Sequence, residues 1–415
     1  MHLLYLQQLF IVPDSPGNVR NWEFARQWWE SGWDITVCTT HAHLKEHEDY
    51  PHPKQFPYKW TYQGLDIYVF DVAYQHMMPF PKRILAFIKF YRQVLRQLPK
   101  LIEAPDAVLA YTAPLSVGEL GRKLAEHWNI PFFLEVADVW PDVPIDMGII
   151  RQPQLIKWLH KRTKAIYDRT QHIFPYSPDM KYQIEGKGVP SKKVTSIVNG
   201  TQIQVFSDRA MLHHPKGQVK LLYAGTIGIA NDLSQLIKAI AFLEEHENLN
   251  IHLDIVGDGN DGQHVRKLSE ELGVKSISFH PRVSRTELKK YWEEAQIGIV
   301  CFKAVRALQA NGATKFFDYL ASGIPVIVNY EGWQSQILKR YNCGLSSEQG
   351  NIPALARNIK FLTTYSTVRL RMGGNGRRLA QTQFNREVLA RHMQEVIMTE
   401  MESAKKDKHS KKEKV

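Results

Sequence analysis

The alternation of short apolar, strand-like runs with amphipathic helical stretches is the feature that most constrains the fold of this chain. This pattern is expected when crossover helices join the strands of a parallel sheet. Two successive series of this kind predict an α/β protein with two Rossmann-like domains. The predicted strands are 2–8, 35–39, 65–71, 107–111, 132–136, 173–176 and 194–198 in the first series, and 219–224, 251–256, 277–279, 297–302 and 325–329 in the second.

Turn residues interrupt this periodicity between the two series, at 199–218. A helix near the end of the chain is expected to pack back on the first domain. The lysine-rich segment that follows it is expected to be a disordered basic tail. The predicted segments are a first domain at 1–200, a linker at 201–217, a second domain at 218–384, the returning helix at 385–402 and the tail at 403–415.

The composition excludes several classes of protein. With 415 residues, of which 44% are hydrophobic, the chain is long enough for two cores and is not a disordered polypeptide. Its three cysteines match neither a disulfide framework nor a zinc site, which favours a reducing cytosol. The apolar start at 1–12 is typical of a first strand and not of a signal peptide. No apolar run approaches the ~20 residues of a membrane-spanning helix.

The net charge of +11 favours an anionic partner, such as a membrane surface, a nucleic acid or a phosphorylated small molecule. One predicted helix, 82–100, concentrates this charge, because its lysines and arginines share one face and an apolar stripe occupies another. Two interpretations are open. The helix either packs on the core with a solvated basic face, or docks on an anionic membrane.

A formal G-x-G-x-x-G at 257–262 follows a strand of the second series. Two aspartates within it would meet a pyrophosphate, and the next strand ends in His280 instead of a ribose-binding acid. The glycines are therefore interpreted as a tight strand-to-helix turn.

The loop in "YAGTIGIANDL" is a better candidate for a phosphate site. Gly225 and Gly228 allow backbone N–H groups to approach a ligand, Thr226 offers a hydroxyl, and the helix that follows offers its positive end. The alternative is an ordinary capped turn between a strand and a helix. Lys303 and Lys315 are expected to bring positive charge to the same crevice.

The segment "ATKFFDYLASGIPVIVNYEGW", at 313–333, places a lysine and an aspartate on one helix before a buried strand. Asp318 follows Lys315 by three residues, so the two side chains share a helix face. They form either an exposed ion pair or a ligand-facing pair at the carboxyl end of the strands. The segment alone leaves both open.

The first domain holds two further candidate sites. Gly17 lies in the loop after the first strand, and Arg20 begins the next helix, where it either faces a ligand or caps a turn. In "FFLEVADVWPDVP", Asp138 and Asp142 flank Trp140 at the carboxyl end of a buried strand, an arrangement suited to the face of a sugar. The alternative for Asp138 is a helix cap.

Five segments, in the same order along the chain, carry a resemblance to a known family: "PGNVRNWEFAR", "LEVADVWPD", "GVPSKKVTSIVNGTQIQVF", "LLYAGTIGIANDL" and "GATKFFDYLASGIPVIVNYEGW". Over nearly its full length the chain resembles glycosyltransferase family 4, a family of retaining enzymes with GT-B architecture. It is most similar to the branch that builds bacterial O-antigen, capsule and exopolysaccharide, which includes proteins described as fucosamine transferases.

The resemblance implies two Rossmann-like domains whose parallel sheets face across a deep cleft, with the acceptor held mainly by the first and a nucleotide-sugar by the second. It implies that Asp318 holds the ribose hydroxyls, that Lys315 points at the diphosphate and that Val283 lies near the base. The implied catalytic residues are Asp138, Lys303 and Lys315. The implied donor-binding residues are Gly17, Gly225, Thr226, Gly228, Val283 and Asp318, and the expected acceptor contacts are Arg20, Trp140 and Asp142.

The chain departs from the family pattern in its donor-binding half. The family's first glutamate falls on Ala310, which removes a contact to the donor sugar. The usual Arg and Lys of the phosphate loop are replaced near Thr226 and Asn231. Lys303 or Lys315 is expected to compensate for them.

These expectations combine into a function. The chain is predicted to be a retaining, hexosyltransferase-type glycosyltransferase that moves a sugar from a UDP- or GDP-sugar to a lipid-linked or oligosaccharide acceptor in cell-surface polysaccharide synthesis. It is expected in the cytoplasm, peripheral on the inner face of the plasma membrane, with no bound metal, no other cofactor and no nucleic-acid partner. Two alternatives stay open: a non-catalytic sugar-nucleotide-binding protein, and a nucleotide-sugar epimerase of similar architecture.

Overall fold

The computed structural model describes residues 1–415 except 14, 16, 76–77, 207–216, 248 and 413–415. The chain forms two compact units, Met1–Val198 with Glu387–Val415, and Asn199–Arg386. Most of the predicted linker, at 207–216, lies outside the described residues. Each unit contains one largely parallel sheet with helices around it, which confirms the predicted α/β class with two Rossmann-like domains.

The first unit is built on a seven-stranded sheet in the order β3-β4-β2-β1-β5-β6-β7. Its pairs are parallel except β3 with β4, which is antiparallel. The strands are β1 (His2–Leu6), β2 (Asp34–Thr40), β3 (Tyr58–Tyr62), β4 (Leu65–Phe70), β5 (Ala107–Tyr111), β6 (Phe132–Val136) and β7 (His172–Pro175). The helices are α1 (Arg20–Glu30), α2 (Phe80–Gln97), α3 (Leu115–Trp128), α4 (Asp142–Asp146), α5 (Pro153–Arg169) and α6 (Pro178–Glu185).

The second unit contains a six-stranded sheet in the order β10-β9-β8-β11-β12-β13. The strands are β8 (Val219–Ala224), β9 (Ile251–Val256), β10 (Ile277–His280), β11 (Ile297–Val300), β12 (Val326–Val328) and β13 (Gly344–Ser346). The helices are α7 (Ser234–His246), α8 (Gly262–Glu271), α9 (Arg285–Glu294), α10 (Arg306–Gln309), α11 (Thr314–Ala321), α12 (Trp333–Tyr341), α13 (Ile352–Thr364) and α14 (Ser366–Gln383). All of its strand pairs are parallel.

Both sheets have a topological switch point, where the chain leaves a central strand in opposite directions. In the first unit this point lies between β1 and β5, and in the second between β8 and β11. In open parallel sheets, ligands bind at the carboxyl ends of the strands beside such a point. Ligand sites are therefore expected at the loops that follow β8 and β11, and at those that follow β1, β5 and β6.

Each predicted strand forms, with small changes at its ends, except the one at 194–198. There the Thr195 N–H donates to the Ile173 carbonyl at 3.0 Å and the Ile197 N–H donates to the Pro175 carbonyl at 2.9 Å. Pro175 has no N–H to donate in return, so the ladder stops after a single bridge between Val194 and Ile173. Two short edge strands, β3 and β13, were not predicted.

The final helix, α15 (Arg386–Lys412), packs on the first unit. Ala390, Met393, Ile397 and Met401 are buried in the core cluster that contains the first strand. The Trp28 indole N–H donates to the Ala390 carbonyl at 2.9 Å. The prediction of a disordered tail from 403 is wrong as far as Lys412, because this lysine-rich segment lacks glycine and proline and continues the helix.

In the described part of the chain, no helix is both long and apolar enough to cross a bilayer. All three cysteines are buried free thiols.

Candidate functional site

The carboxyl edge of the second unit's sheet brings two loops together at the switch point. The Lys303 N–H, after β11, donates to the carbonyl of Ala230, in the loop after β8, at 2.8 Å. The Tyr223 hydroxyl donates to the Thr226 carbonyl at 2.7 Å and fixes the turn between β8 and that loop. Thr226 and Lys303 are exposed at this edge. The structure thus places two predicted site residues, far apart in sequence, in neighbouring loops.

Glycines allow the loop after β8 to lie directly against the loop after β9. The Gly225 N–H donates to the Val256 carbonyl at 2.9 Å, and the Ile227 N–H donates to the Asp258 carbonyl at 2.7 Å. A Cβ on Gly257 would lie 1.9 Å from the Gly225 carbonyl oxygen. The glycines of the formal G-x-G-x-x-G therefore serve close backbone approach, which explains them without a bound dinucleotide.

Lys315 points its amine at Gly225. Its Nζ lies 3.9 Å from the centre of the Tyr223 ring, and a Cβ on Gly225 would lie 2.8 Å from both Cε and Nζ. Gly225 also has φ +149°, so both the space and the backbone conformation favour glycine here. Lys315 consequently lies against the loop after β8, and the role of these residues in ligand binding stays a prediction.

Among the described residues, the amine of Lys315 has no carboxylate as counter-ion. Desolvation lowers the pKa of Lys315 to about 7, and no carboxylate in the described part of the chain forms an ion pair with it. The residue still reaches solvent in part, so a ligand can approach it. A partly buried, unpaired amine next to a glycine turn and the end of a parallel strand is suited to an anion such as a phosphate.

Asp318 does not pair with Lys315, although the two residues share helix α11. Its Oδ1 accepts from the Thr201 hydroxyl at 2.6 Å and from Arg285 Nη2 at 2.9 Å, and its Oδ2 accepts from Arg285 Nη1 at 3.2 Å. The exposed ion pair that the spacing allowed is therefore absent, and Asp318 is buried. The Asp318 carboxylate contacts α9 and the first segment of the second unit, whereas the Lys315 amine lies against β8.

Arg285 is a site residue that the sequence reasoning missed. It is the first residue of α9, directly after Ser284, whose hydroxyl accepts from the Glu287 N–H in a capping box. Val283, predicted to lie near a base, is partly buried just before this cap. The sequence did contain a signal for this position, because Ser284 and Glu287 form the pattern of a capping box and so mark the start of a helix. That start lies at the carboxyl edge of the sheet, and Arg285 is the first residue of the helix.

In the first unit, Arg20 is a buried structural residue. Its Nη1 lies 2.5 Å from Glu135 Oε1, both side chains are fully buried, and Nη1 also donates to the Tyr176 hydroxyl at 2.8 Å. Burial alone would lower the pKa of Arg20, but Tyr176 and Glu135 outweigh it and raise the pKa above its usual range. The expected acceptor contact at Arg20 is therefore wrong for this structure, because its guanidinium has no solvent-facing surface.

Asp138 lies at the end of β6 and is exposed. Its backbone carbonyl accepts from the Trp140 N–H at 3.0 Å. Desolvation raises the pKa of Asp138 above its ordinary value, although the exposure of the residue limits such an effect. The side chain is not a helix cap, because α4 begins after Pro141 with no capping side chain. Asp138 is thus an available carboxylate at the predicted edge.

Trp140 is partly buried, and Asp142 is engaged in an ion pair with Lys187 and a contact with His160. Lys187 Nζ lies 2.6 Å from Asp142 Oδ2, and His160 Nδ1 lies 3.8 Å from Asp142 Oδ1. An acceptor contact at Asp142 would have to share the carboxylate with Lys187. Gly17, with φ +139°, is exposed in the loop between β1 and α1.

The carboxyl end of β1 also holds polar groups that the sequence reasoning did not use. Gln7 and Gln8 are buried, and the Nε2 atom of each has no hydrogen-bond partner within the described part of the chain. The signal was two adjacent glutamines at the end of an apolar strand. Buried unpaired amides carry a desolvation penalty that a hydroxyl ligand or water relieves.

Within the described residues, no group of three or more His, Cys, Asp and Glu side chains is placed to hold a metal ion. Ala310, where the family pattern has a glutamate, is buried at the end of α10 and contributes no polar side-chain atom.

Comparisons with known proteins agree with this architecture. The model "Glycosyl transferase 4-like domain" matches residues 17–200, and the model "Glycosyl transferases group 1" matches residues 205–379. No curated protein sequence matches the chain.

Solved structures share the fold at low sequence identity. Sucrose-phosphate synthase from Thermosynechococcus elongatus is 16% identical with a TM-score of 0.75, over 96% of this chain and 98% of that one. HepE from Anabaena, in complex with UDP and glucose, is 12% identical with a TM-score of 0.68, over 96% and 100%. WaaG, a glycosyltransferase involved in lipopolysaccharide biosynthesis, is 15% identical with a TM-score of 0.65, over 94% and 98%.

The two family models lie end to end and together span most of the sequence, each on one of the two units. The chain therefore belongs to the glycosyltransferases of GT-B fold, with a family 4-like domain followed by a group 1 domain.

Proposed function

We propose that this glycosyltransferase transfers a sugar from a UDP- or GDP-sugar, with retention at the anomeric carbon, to a lipid-linked or oligosaccharide acceptor of cell-surface polysaccharide synthesis. The observation that carries the donor half of this proposal is the unpaired amine of Lys315 beside Gly225 at the β8/β11 switch point. The HepE structure contains UDP and glucose on the same fold, which supports a nucleotide-sugar as the donor class.

The second unit is proposed to bind the donor. Lys315 neutralises charge on the diphosphate, backbone N–H groups of Thr226 and Gly228 donate to its oxygens, and Lys303 adds an exposed cation from the next loop. Val283 is proposed to lie against the base. These groups act without a bound metal, so the positive charge at the leaving group comes from side chains and amide dipoles.

The chemical step follows from this distribution of charge. The acceptor oxygen forms a bond to the anomeric carbon while the bond from that carbon to the diphosphate oxygen breaks. The proton of the acceptor hydroxyl passes to an oxygen of the departing phosphate. Charge that develops on the diphosphate is stabilised by Lys315 and by the loop after β8, which are held in place before the reaction.

Asp318 is proposed to hold the ribose hydroxyls, and the structure adds a condition to this role. A carboxylate offers about four lone-pair directions, and Thr201 and Arg285 occupy three of them. A ribose that donates two hydrogen bonds to Asp318 must therefore displace at least one of the three contacts from Thr201 and Arg285. The pairing of Asp318 with Arg285, and an alanine at 310 in place of the family's glutamate, favour an alternative function. This alternative is a sugar-nucleotide-binding protein without turnover.

The first unit is proposed to bind the acceptor. Asp138 offers an exposed carboxylate at the end of β6, Trp140 offers an apolar ring, and Gly17 lies in the loop after β1. Helix α2 is proposed to dock on the anionic inner face of the plasma membrane, which would bring this unit to a lipid-linked acceptor.

Ligand-dependent thermal stability tests the donor site. UDP, GDP and their sugars are added to the parent chain, to Lys315→Met and to Lys267→Met, a control lysine on α8 whose side chain is well exposed. One nucleotide class is expected to raise the Tm of the parent and of the control, because a ligand that binds only the folded state stabilises it. Lys315→Met is expected to need at least about tenfold more ligand for the same shift. Equal shifts in all three proteins would remove Lys315 from the site.

Turnover separates the candidate functions. Incubation with the nucleotide-sugar and an extract of membrane lipids is expected to release the nucleoside diphosphate and to yield a glycolipid that keeps the anomeric configuration of the donor. Binding without release would favour the sugar-nucleotide-binding protein. Conversion of the sugar in the absence of acceptor would favour the epimerase.

A further inference from the structure

Helix α5 carries exposed apolar side chains that have no role in the proposed donor or acceptor site. Trp158 is 51% exposed and Leu155 is 41% exposed. On α2, which belongs to the same unit, Leu85 is 65% exposed and Ile88 is 40% exposed. Single exposed apolar residues are common on protein surfaces, so these four residues indicate a binding surface only if they lie on the same part of the unit.

The two sets lie on one face of the first sheet and at one end of its helix layer. Arg162 of α5 contacts Glu119 of α3, with Nη1 3.7 Å from Oε1. Helix α3 contacts both α2 and α5, and Tyr91 of α2 lies close enough to Glu119 and Arg162 to interact with both charges, so the three helices meet here. Helices α2 and α5 both connect parallel strands and run in the same direction.

The exposed apolar residues precede this meeting point by one to two turns on both helices. Leu85 and Ile88 lie six and three residues before Tyr91, and Leu155 and Trp158 lie seven and four residues before Arg162. Both sets therefore lie toward the helix N-termini. In a parallel α/β unit, that end coincides with the carboxyl edge of the sheet.

The two segments that carry these residues contain charges of one sign only, although Glu119 and Asp71 of neighbouring elements contact Arg162 and Lys89. Segments 80–97 and 147–163 contain no aspartate or glutamate. They contain the basic residues Lys82, Arg83, Lys89, Arg92, Arg96, Arg151, Lys157, Lys161 and Arg162. The Arg162 guanidinium lies 5.2 Å from the centre of the Trp158 ring, so a cation accompanies the exposed indole. Apolar tips among lysines and arginines complement a lipid surface that has acyl chains beneath anionic head groups.

We infer that α2 and α5 form a single docking surface for an anionic phospholipid bilayer, with Leu85 and Ile88 as one insertion point and Leu155 and Trp158 as the other. This deepens the membrane docking proposed for α2, and it adds an orientation. With two insertion points at the same end of the layer, the bound unit presents the carboxyl edge of its sheet, and hence Asp138, near the bilayer surface. Nucleic acid is a weaker match, since three of the four exposed apolar residues are aliphatic and neither stack on bases nor pair with phosphates.

Sedimentation of the full chain with vesicles tests the surface. Vesicles of neutral phosphatidylcholine are compared with vesicles that contain phosphatidylglycerol, for the parent, Leu85→Ser, Trp158→Ser and the double variant. Phe242→Ser is the control, because Phe242 is 43% exposed on α7 of the second unit. The parent is expected to bind the anionic vesicles selectively, and each single variant is expected to bind about fivefold more weakly. The two losses are expected to multiply in the double variant, and the control is expected to match the parent.

Parent-like binding by Trp158→Ser would remove α5 from the surface. Equal binding to neutral vesicles would overturn the anionic partner, and binding to DNA without binding to vesicles would replace the bilayer with a nucleic acid. The nucleotide-induced Tm shift, measured on the same variants, keeps the two proposals distinguishable. If the parent chain binds vesicles but nucleotides do not raise its Tm, the donor-site proposal is wrong and the docking-surface proposal stands.

Discussion

The guanidinium of Arg285 contacts both carboxylate oxygens of Asp318, with Nη2 2.9 Å from Oδ1 and Nη1 3.2 Å from Oδ2. The Arg285 side chain is 15% exposed and the Asp318 side chain 7% exposed, so the pair is largely shielded from water. Thr201 completes the arrangement, and its backbone N–H donates to the Phe384 carbonyl at 2.8 Å. Asp318 thus connects α9, α11 and the two segments at the ends of the second unit.

Loss of this pair is expected to destabilise the second unit. Arg285→Met leaves the Asp318 carboxylate largely buried without its cation, so the free energy of unfolding is expected to fall by about 2–4 kcal/mol. Urea denaturation of the parent, Arg285→Met, Asp318→Asn and the double variant measures the coupling. The double variant is expected to lose less than the sum of the two single losses. Strictly additive losses would show that the two side chains do not depend on each other.

Affinity for a nucleotide-sugar is expected to fall as the pH rises above 7. The pKa of Lys315 is lowered to about 7, so the amine is charged below this pH and neutral above it. An anionic ligand requires the charged form, and above pH 7 binding must include the uptake of a proton, which costs up to about tenfold in affinity per pH unit. Calorimetric titration between pH 6 and 8.5 with the preferred nucleotide-sugar checks this, since the diphosphate diester keeps its charge in that range. Lys315→Met is expected to show weak and pH-independent binding.

The lowered pKa of Lys315 is also expected to make the free energy of unfolding of the ligand-free protein rise with pH. Because the folded-state pKa lies below that of the unfolded chain, the unfolded state binds more protons between pH 7 and the ordinary lysine pKa of 10.5. The penalty for burying the charged amine is fully present below pH 7 and is relieved as the pH rises through that window. Lys315→Met removes this contribution, so the difference in free energy of unfolding between variant and parent is expected to shrink from pH 7 to pH 9.

Arg20 is expected to matter for folding and not for contact with the acceptor. Arg20→Met leaves Glu135 fully buried without its cation, and the free energy of unfolding is expected to fall by about 3–5 kcal/mol. Arg20→Lys keeps the charge but loses the contact with two partners, and it is expected to lie between the parent and Arg20→Met. Urea denaturation measures both. A folded and equally stable Arg20→Lys variant with a raised KM for the acceptor would restore the acceptor role.

Two glycines of one motif are expected to respond differently to the same substitution. Gly257→Ala places a Cβ 1.9 Å from the Gly225 carbonyl oxygen, so it is expected to separate the loops after β8 and β9, with a fall in Tm and loss of nucleotide binding. Gly262→Ala meets no atom within 4 Å at the start of α8, and it is expected to leave both quantities unchanged or to raise Tm slightly. Equal tolerance at the two positions would contradict the close approach of the loops.

Strand positions in the cores were predictable because burial on both faces requires nearly continuous apolar runs, as in β1, β6 and β8. The short edge strands β3 and β13 were not predictable, since they depend on a neighbouring strand more than on their own sequence. The helical continuation to Lys412 was missed because charge was weighed above helix propensity.

The amino-acid sequence by itself determined the two-part α/β organisation, the glycine loop after β8 and the lysine at its side, because local patterns of apolar and turn residues encode strands, helices and turns. Only the tertiary structure decided which charges meet. Arg20 and Glu135 are 115 residues apart, and Arg285 and Asp318 are 33 apart, so no local spacing relates them. Ion pairing depends on distances in space: Arg20 of α1 reaches Glu135 of β6, and Arg285 of α9 reaches Asp318 of α11, while no carboxylate of the described residues pairs with Lys315.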